Sequence, residues 1–170
     1  MKPKIKYDFS KLDKFAKAVS KNYRVKVGIL GKKDSRIERG TSNATIGLVH
    51  EFGSFKQKIP MRSFLRMPLA TKANQILLSI AKSTLKLLYK GNYRQIFVIL
   101  GLKCEEVIQE AFSTSGWGSW VPNKIKTIIA KTPKKVRMKL AKTGEALIGR
   151  PLINTGQLRR SITSKVEKVR

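Results

Sequence analysis

The chain is poor in acids, in histidine and in cysteine, and each shortage removes a class of chemistry. Ten Asp and Glu stand against 37 Lys and Arg, a formal net charge of +27 over 170 residues. With His50 the only histidine, the pair His50-Glu51 cannot be half of a helical zinc site, because the position one turn on is Ser54. The aspartates Asp8, Asp13 and Asp34 lie far in sequence from Glu105, Glu106 and Glu110, so no carboxylate cluster for Mg²⁺ is evident. Gly28, Gly31 and Gly40 precede no Lys-Ser/Thr pair in the spacing of a phosphate loop. Cys104 stands alone and cannot close an internal disulfide; its place in an apolar helical pattern is that of a small buried side chain. No apolar run approaches the roughly eighteen residues of a membrane span, and the first six residues lack the apolar core of a secretory signal. These shortages predict a soluble protein made in the cytoplasm, with no enzymatic activity, metal or cofactor.

What is abundant is positive charge, together with enough apolar residues (41%) for one core. A single domain over 1–170 is expected. So large an excess of cations implies a polyanion or a strongly acidic protein neighbour; a merely solvated basic surface is the bland alternative.

Leu12, Phe15, Ala16 and Val19 recur at helical spacing after Ser10, predicting an amphipathic helix over 9–21. Tyr23, Val25, Val27 and Ile29 alternate with polar or small residues, the period of a half-buried strand ended by Gly31. The stretch 32–42 has no periodicity and reads as a mobile loop. Beyond Pro68, Ala73, Leu77, Ile80, Thr84, Leu87 and Leu88 mark one face of a long helix stopped at Gly91-Asn92. Ile96, Leu100, Cys104, Val107 and Ala111 mark a second helix over 93–112, although its start, Ile96 to Leu100, also fits a buried strand. Two such helices form a hairpin able to cover a sheet. Weak alternation at Ile162, Ser164 and Val166 fits an edge strand.

Ala44 to Arg66 is the densest stretch. Asn43 is suited to cap a short helix carrying Ile46, Val49 and His50 on one stripe, with Gly53 turning the chain out of it. Pro60 fixes a corner from which Arg62, Phe64, Leu65 and Arg66 project. His50 is expected to hydrogen-bond a carbonyl or Glu51, and Arg62 to pair with Glu51; Phe64 and Leu65 are core or interface anchors. Asn154-Thr155-Gly156 reads as a turn capping the segment from Gln157. Between Val121 and Arg150 nine cations face a single acid, Glu145. That segment is expected to be a loop-rich basic excursion with freedom to move: either a solvated arm, or one that sets Lys124, Lys126, Lys131, Lys134, Lys135, Arg137 and Lys139 against DNA.

Two of these stretches resemble one family. His50-Glu51-Phe52-Gly53 followed by Ile59-Pro60-x-Arg62-x-Phe64-Leu65-Arg66 is similar to the "HEFG … IPxRxFLR" signature of tailed-phage virion-morphogenesis and tail-completion proteins. Trp120-Val121-Pro122, then Pro151-Leu152-Ile153-Asn154-Thr155-Gly156-Gln157-Leu158-x-x-Ser161-Ile162, is similar to that family's ending. Asn154 departs from the aspartate more usual there, and Met61 and Ser63 from a small residue and proline.

The resemblance implies a structural virion protein at the neck or head-proximal tail end, acting in tail completion and head–tail joining. Its partners would be other neck and tail proteins, copies of itself in a homo-oligomeric ring, and double-stranded DNA in the channel, with no membrane. Structural or interface roles then fall on His50, Glu51, Phe52, Gly53, Pro60, Arg62, Phe64, Leu65, Arg66, Trp120, Asn154, Thr155, Gly156 and Leu158. A stand-alone, sequence-independent nucleic-acid-binding module is the alternative; it accounts for the charge but not for the two motifs. The expected fold is α+β, a small and mostly antiparallel sheet packed against two long helices.

Overall fold

The structure, a computed structural model, describes residues 23–34, 40–143 and 149–169. The helix expected over 9–21 lies outside them. Strand β1 (Tyr23–Ile29) pairs antiparallel with β2 (Ile162–Lys168), so the two ends of the described chain close one sheet. The register sets Val25 opposite Val166 and Ile29 opposite Ile162. Apolar residues of both strands therefore share a face. On the other face Glu167 gathers Arg24, Lys26 and Lys165. Hydrogen bonds from Lys26 first, then Arg24 and Lys165, hold its carboxyl down at about 2. The cluster is exposed and adds little stability.

Between the strands run α1 (Asn43–Phe52), α2 (Arg66–Tyr89), α3 (Tyr93–Thr114), α4 (Ile125–Lys131), α5 (Lys134–Thr143) and a single turn, α6 (Gln157–Arg160). The α+β expectation holds, with a two-stranded antiparallel sheet, but of the two long helices expected to cover it only one packs on it. Helix α3 lies against both strands, and α2 packs along α3. The 93–112 segment is helix throughout and runs on to Thr114. The Gly91-Asn92 stop is a Schellman turn, with Gly91 N–H on Leu88 O and Asn92 N–H on Leu87 O.

Close approach of α3 to the sheet depends on Gly101. A Cβ there would sit 2.6 Å from Ser164 Oγ and 2.9 Å from Ser164 Cβ. Four residues on, Glu105 Oε1 accepts the Ser164 N–H at 2.5 Å, which occupies a donor on β2's unpaired edge. The buried face of α2 is Ile76, Ile80 and Thr84, whereas Leu77, expected on it, is mostly exposed, as are Leu78 and Leu85. No helix among the described residues is long and apolar enough to cross a membrane.

The core is Phe64, Ile108, Ala111, Phe112, Trp120, Leu152, Leu158 and Ile162. Phe112 is at its centre, tilted against Phe64 with centroids 5.2 Å apart and edge-on to Trp120 at 5.8 Å. Phe64, Trp120, Leu152, Leu158 and Ile162 all come from the motif stretches singled out in the sequence, so the motifs supply most of this core.

The basic segment is helical rather than loop-rich: α4 and α5 occupy most of its described residues, separated at Pro133. Proline both lacks an N–H and disfavours helix at the residue before it, and Thr132 is extended (φ −92°, ψ 123°). Neither helix buries a residue. The excursion leaves and returns at one place, where the Asn123 amide donates to the carbonyls of Gly149 and Arg150 at 3.2 and 3.1 Å.

Candidate functional site

Helix α1 starts one residue earlier than expected. Its cap is Ser42, whose Oγ accepts the Thr45 N–H at 3.1 Å, while Asn43 is helical and buried. The Asp34 carboxylate accepts the Ala44 N–H at 2.6 Å, tying a 3₁₀ turn (Gly31–Asp34) to the helix. This part of the stretch read as a mobile loop is thus ordered onto α1. Gly53 ends α1 at φ 76°, ψ 176°; a Cβ there would lie 2.9 Å from Met61 N, so glycine is required both by the backbone and by the returning chain. The segment between is a tight turn, closed by reciprocal backbone bonds between Ser54 and Ile59, both at 2.9 Å, with Lys58 at φ 53°. Phe55 stands at its tip, fully exposed.

Pro60 then turns the chain so that 62–66 passes back across α1, and here the geometry departs from expectation. Glu51 does not pair with Arg62. Its buried carboxylate takes four hydrogen bonds: Ser63 Oγ at 2.5 Å and Arg66 N at 3.1 Å on Oε1, and Phe64 N at 2.9 Å and Leu65 N at 3.0 Å on Oε2. It caps α2 from a remote helix, satisfying N–H groups that have no partner within α2 and placing negative charge at its positive end. Ser63 Oγ accepts the next donor, Met67 N–H, at 3.0 Å. Pro68, in the first turn of α2, has no N–H to satisfy.

With Glu51 occupied, Arg62 points the other way. Its Nε donates to Val121 O at 2.8 Å and its Nη2 to Pro122 O at 3.1 Å, and its own N–H goes to His50 O at 2.8 Å. Trp120 Nε1 donates to Ser63 O at 3.2 Å. The two motif stretches, distant in sequence, are therefore braced against each other by the Arg62 guanidinium and the Trp120 indole. Burial lowers the pKa of Arg62 below the usual guanidinium value.

His50 contributes to the corner through its carbonyl, not its ring. Nδ1 is buried with no protein partner among the described residues, and the Glu51 carboxylate is taken by other donors, so the expected bond to Glu51 does not form. Burial first, then the charges of Arg62 and Lys131, lower its pKa to about 4, leaving a neutral imidazole at pH 7. Phe64 is fully buried and is core. Leu65 packs part-buried against the same cluster. Phe52, Met61 and Met67 are each more than half exposed around the corner, and the Arg66 guanidinium lies 5.7 Å from the centre of the Phe52 ring.

In the second stretch Leu158 is buried, while Asn154 and Thr155 are exposed. The cap residue of α6 is Gly156 at φ 75°, and Thr155 Oγ1 accepts the Gln157 N–H only at 3.4 Å; Asn154 has no capping role. Leu152, at φ 61°, holds a left-handed conformation unusual for leucine inside the core. Of the candidate DNA-facing residues, Lys124, Lys126, Lys134, Lys135 and Lys139 are exposed. Lys131 is not on that open surface: it is half-buried, donates to Ile153 O at 3.1 Å, and has its pKa lowered by burial and by Arg62. Arg137 is half-buried too, its Nε without a partner among the described residues.

Sequence reasoning missed Ser63, Asn123 and the Gln109–Arg159 pair, in which Arg159 Nε donates to Gln109 Oε1 at 2.6 Å and Gln109 Nε2 to Arg159 O at 3.0 Å. Ser63 had a signal, a cap-type residue shortly before a proline that opens a helix. The others had none. Among the described residues no three His, Cys, Asp or Glu side chains converge as metal ligands. No protein-family model, curated protein or solved structure matches this chain.

Proposed function

We propose that this chain is a structural protein of a tailed-phage virion, acting in tail completion and head–tail joining at the neck or head-proximal tail end. The observation that carries the reading is the convergence of its two motif stretches. Residues that resemble one family at two distant places in sequence form one braced unit, through Glu51 with 63–66 and Arg62 with 121–122. A rigid corner of this kind presents Phe52, Phe55, Met61 and Met67 to a partner at little entropic cost, as a joining surface requires. Ring neighbours and other neck and tail proteins are the partners, and α4 and α5 face the DNA that passes through the channel.

The test is complementation of head–tail joining by Phe55→Ser and Met61→Ser. Both side chains are exposed, so the variants fold; joined particles at the wild-type level for both would overturn the reading. A second reading, a free sequence-independent nucleic-acid binder, is favoured by the exposed lysines of α4, α5 and the preceding loop. No carboxylate pairs with them among the described residues. It predicts strong duplex binding by the isolated protein and full function in the two corner variants.

A further inference from the structure

Helix α2 carries two apolar stripes and uses only one of them inside the chain. Ile76, Ile80 and Thr84 are buried, and α2 packs along α3. At 3.6 residues per turn a second stripe runs about a third of a turn away, from Met67 at one end of the helix to Leu88 at the other. On it Leu77, Leu78 and Leu85 are each more than half exposed, and Ala70, Asn74 and Ala81 are exposed too. The stripe itself has no charged residue, although α2 as a whole has cations and no acid. An acidic partner would find nothing on the stripe to pair with; an apolar helix face would.

The stripe has a symmetry that selects which helix. Since α2 spans Arg66–Tyr89, its midpoint falls between Leu77 and Leu78. Turned end for end about that point, the stripe falls on itself. Ala70 then faces Leu85, Asn74 faces Ala81, Leu77 faces Leu78, and at the two ends Met67 faces Leu88. On either side of the centre a large or polar side chain meets an alanine, which lets two helices approach to the roughly 8–10 Å of close packing. A parallel pair would instead stack leucine on leucine and alanine on alanine, leaving gaps at the alanines. The Asn74 amides, one on each side of the midpoint, oppose slipped registers that would press them against leucine. A two-fold axis across the helix produces the matched pairing, and this is the symmetry of an isologous dimer.

We propose that the outer face of α2 is an interface with a second copy of this chain, an antiparallel helix pair about 36 Å long with its two-fold axis between Leu77 and Leu78. It is distinct from the head-to-tail contacts that close a ring, and it does not rest on the virion reading. One helix pair is a small interface, and the net charge of +27 on each copy opposes it. A dissociation constant on the order of 10 µM is therefore expected once salt screens the repulsion.

Two measurements on the full chain, in about 0.5 M NaCl to shorten the screening length, test this. In sedimentation equilibrium the wild type should pass from monomer to dimer across that concentration. Leu78→Glu should weaken the dimer at least about tenfold by setting a charge beside the axis. Leu78 is 73% exposed in the single chain, so the variant folds. The second measurement is disulfide trapping with Cys104, the one native cysteine, changed to alanine. Ala70→Cys and Leu85→Cys should crosslink efficiently when the two variants are mixed and poorly when either is alone. The antiparallel pairing sets 70 against 85 and holds each about 22 Å from its own counterpart, beyond the reach of a disulfide. A chain that stays monomeric, which leaves the stripe to a different partner, would overturn the proposal. So would an oligomer that Leu78→Glu leaves intact, or single variants that crosslink as well as the mixture.

Discussion

Replacing Glu51 by alanine takes one side chain from α1 and leaves four donors on a different segment without an acceptor. Two of them, the Ser63 hydroxyl and the Phe64 N–H, are buried; the Leu65 and Arg66 N–H groups are part-buried and recover water in the variant. At about 1–3 kcal/mol for each buried donor left unsatisfied, and a few tenths for each of the others, the loss comes to about 3–7 kcal/mol. Removal of negative charge from the N-terminus of α2 falls within that range. Such a loss is a large share of the roughly 5–15 kcal/mol by which domains are stable, and lowers Tm by about 6–28 °C at this size. Glu51→Gln keeps one acceptor oxygen and the side-chain volume, and is expected to lose about 2 kcal/mol. The assay is urea denaturation followed by far-UV circular dichroism, with Ser63→Ala included to close a double-mutant cycle. Coupling of about 0.5–3 kcal/mol between Glu51 and Ser63 is expected. A loss below about 1 kcal/mol in Glu51→Ala, or no coupling with Ser63, would refute the claim that this carboxylate organises the corner.

Three further outcomes follow from the same geometry. The His50 pKa of about 4 lies below the unfolded value near 6.5, so between them the unfolded chain binds more protons and stability falls as pH drops through that window. Discounted for its partial exposure, the loss from pH 7 to pH 5 is about 1 kcal/mol, and denaturation of His50→Gln should show that much less dependence on pH. Gly101→Ala should destabilise by about 1–2 kcal/mol although alanine is the better helix former, because the added Cβ meets Ser164, and a Ser164→Gly second change should recover part of it in the same assay. Glutamine at Lys124, Lys126, Lys134 and Lys135 together should leave stability unchanged and reduce the slope of log affinity for duplex DNA against log salt by about 0.9 for each phosphate no longer neutralised; an unchanged slope would assign the arm to protein docking.

Much of the frame was legible because it is written in periodicity. The alternation of Tyr23 to Ile29, the helical spacing from Ile96 to Ala111 and the glycine stop at Gly91 each encode local geometry, and each recurs in the fold. The site was legible as a place but not as a set of bonds. Charge alone matches Arg62 to Glu51, yet the partners of Arg62 are the carbonyls of Val121 and Pro122, which carry no mark in sequence. Glu51 finds backbone N–H groups instead, because Gly53 and Pro60 fold residues 63–66 over it, a consequence of two turns that no pairwise rule supplies. Leu77 falls on the expected stripe of α2 and is exposed all the same, since α2 packs chiefly on α3 and buries a narrower face than a helix set into a core. The cations between 121 and 150 masked two short helices: lysine favours helix, but apolar residues such as Ile125 and Met138, both exposed, gave no clean stripe.

The central claim, that this chain is a built-in part of a virion joined through protein surfaces, is tested most directly by mass spectrometry of purified, nuclease-treated particles. The account predicts that the chain is present, and that it remains after the DNA outside the capsid has been digested and the particles washed at high salt. Particles that join heads to tails and contain none of it would contradict the account.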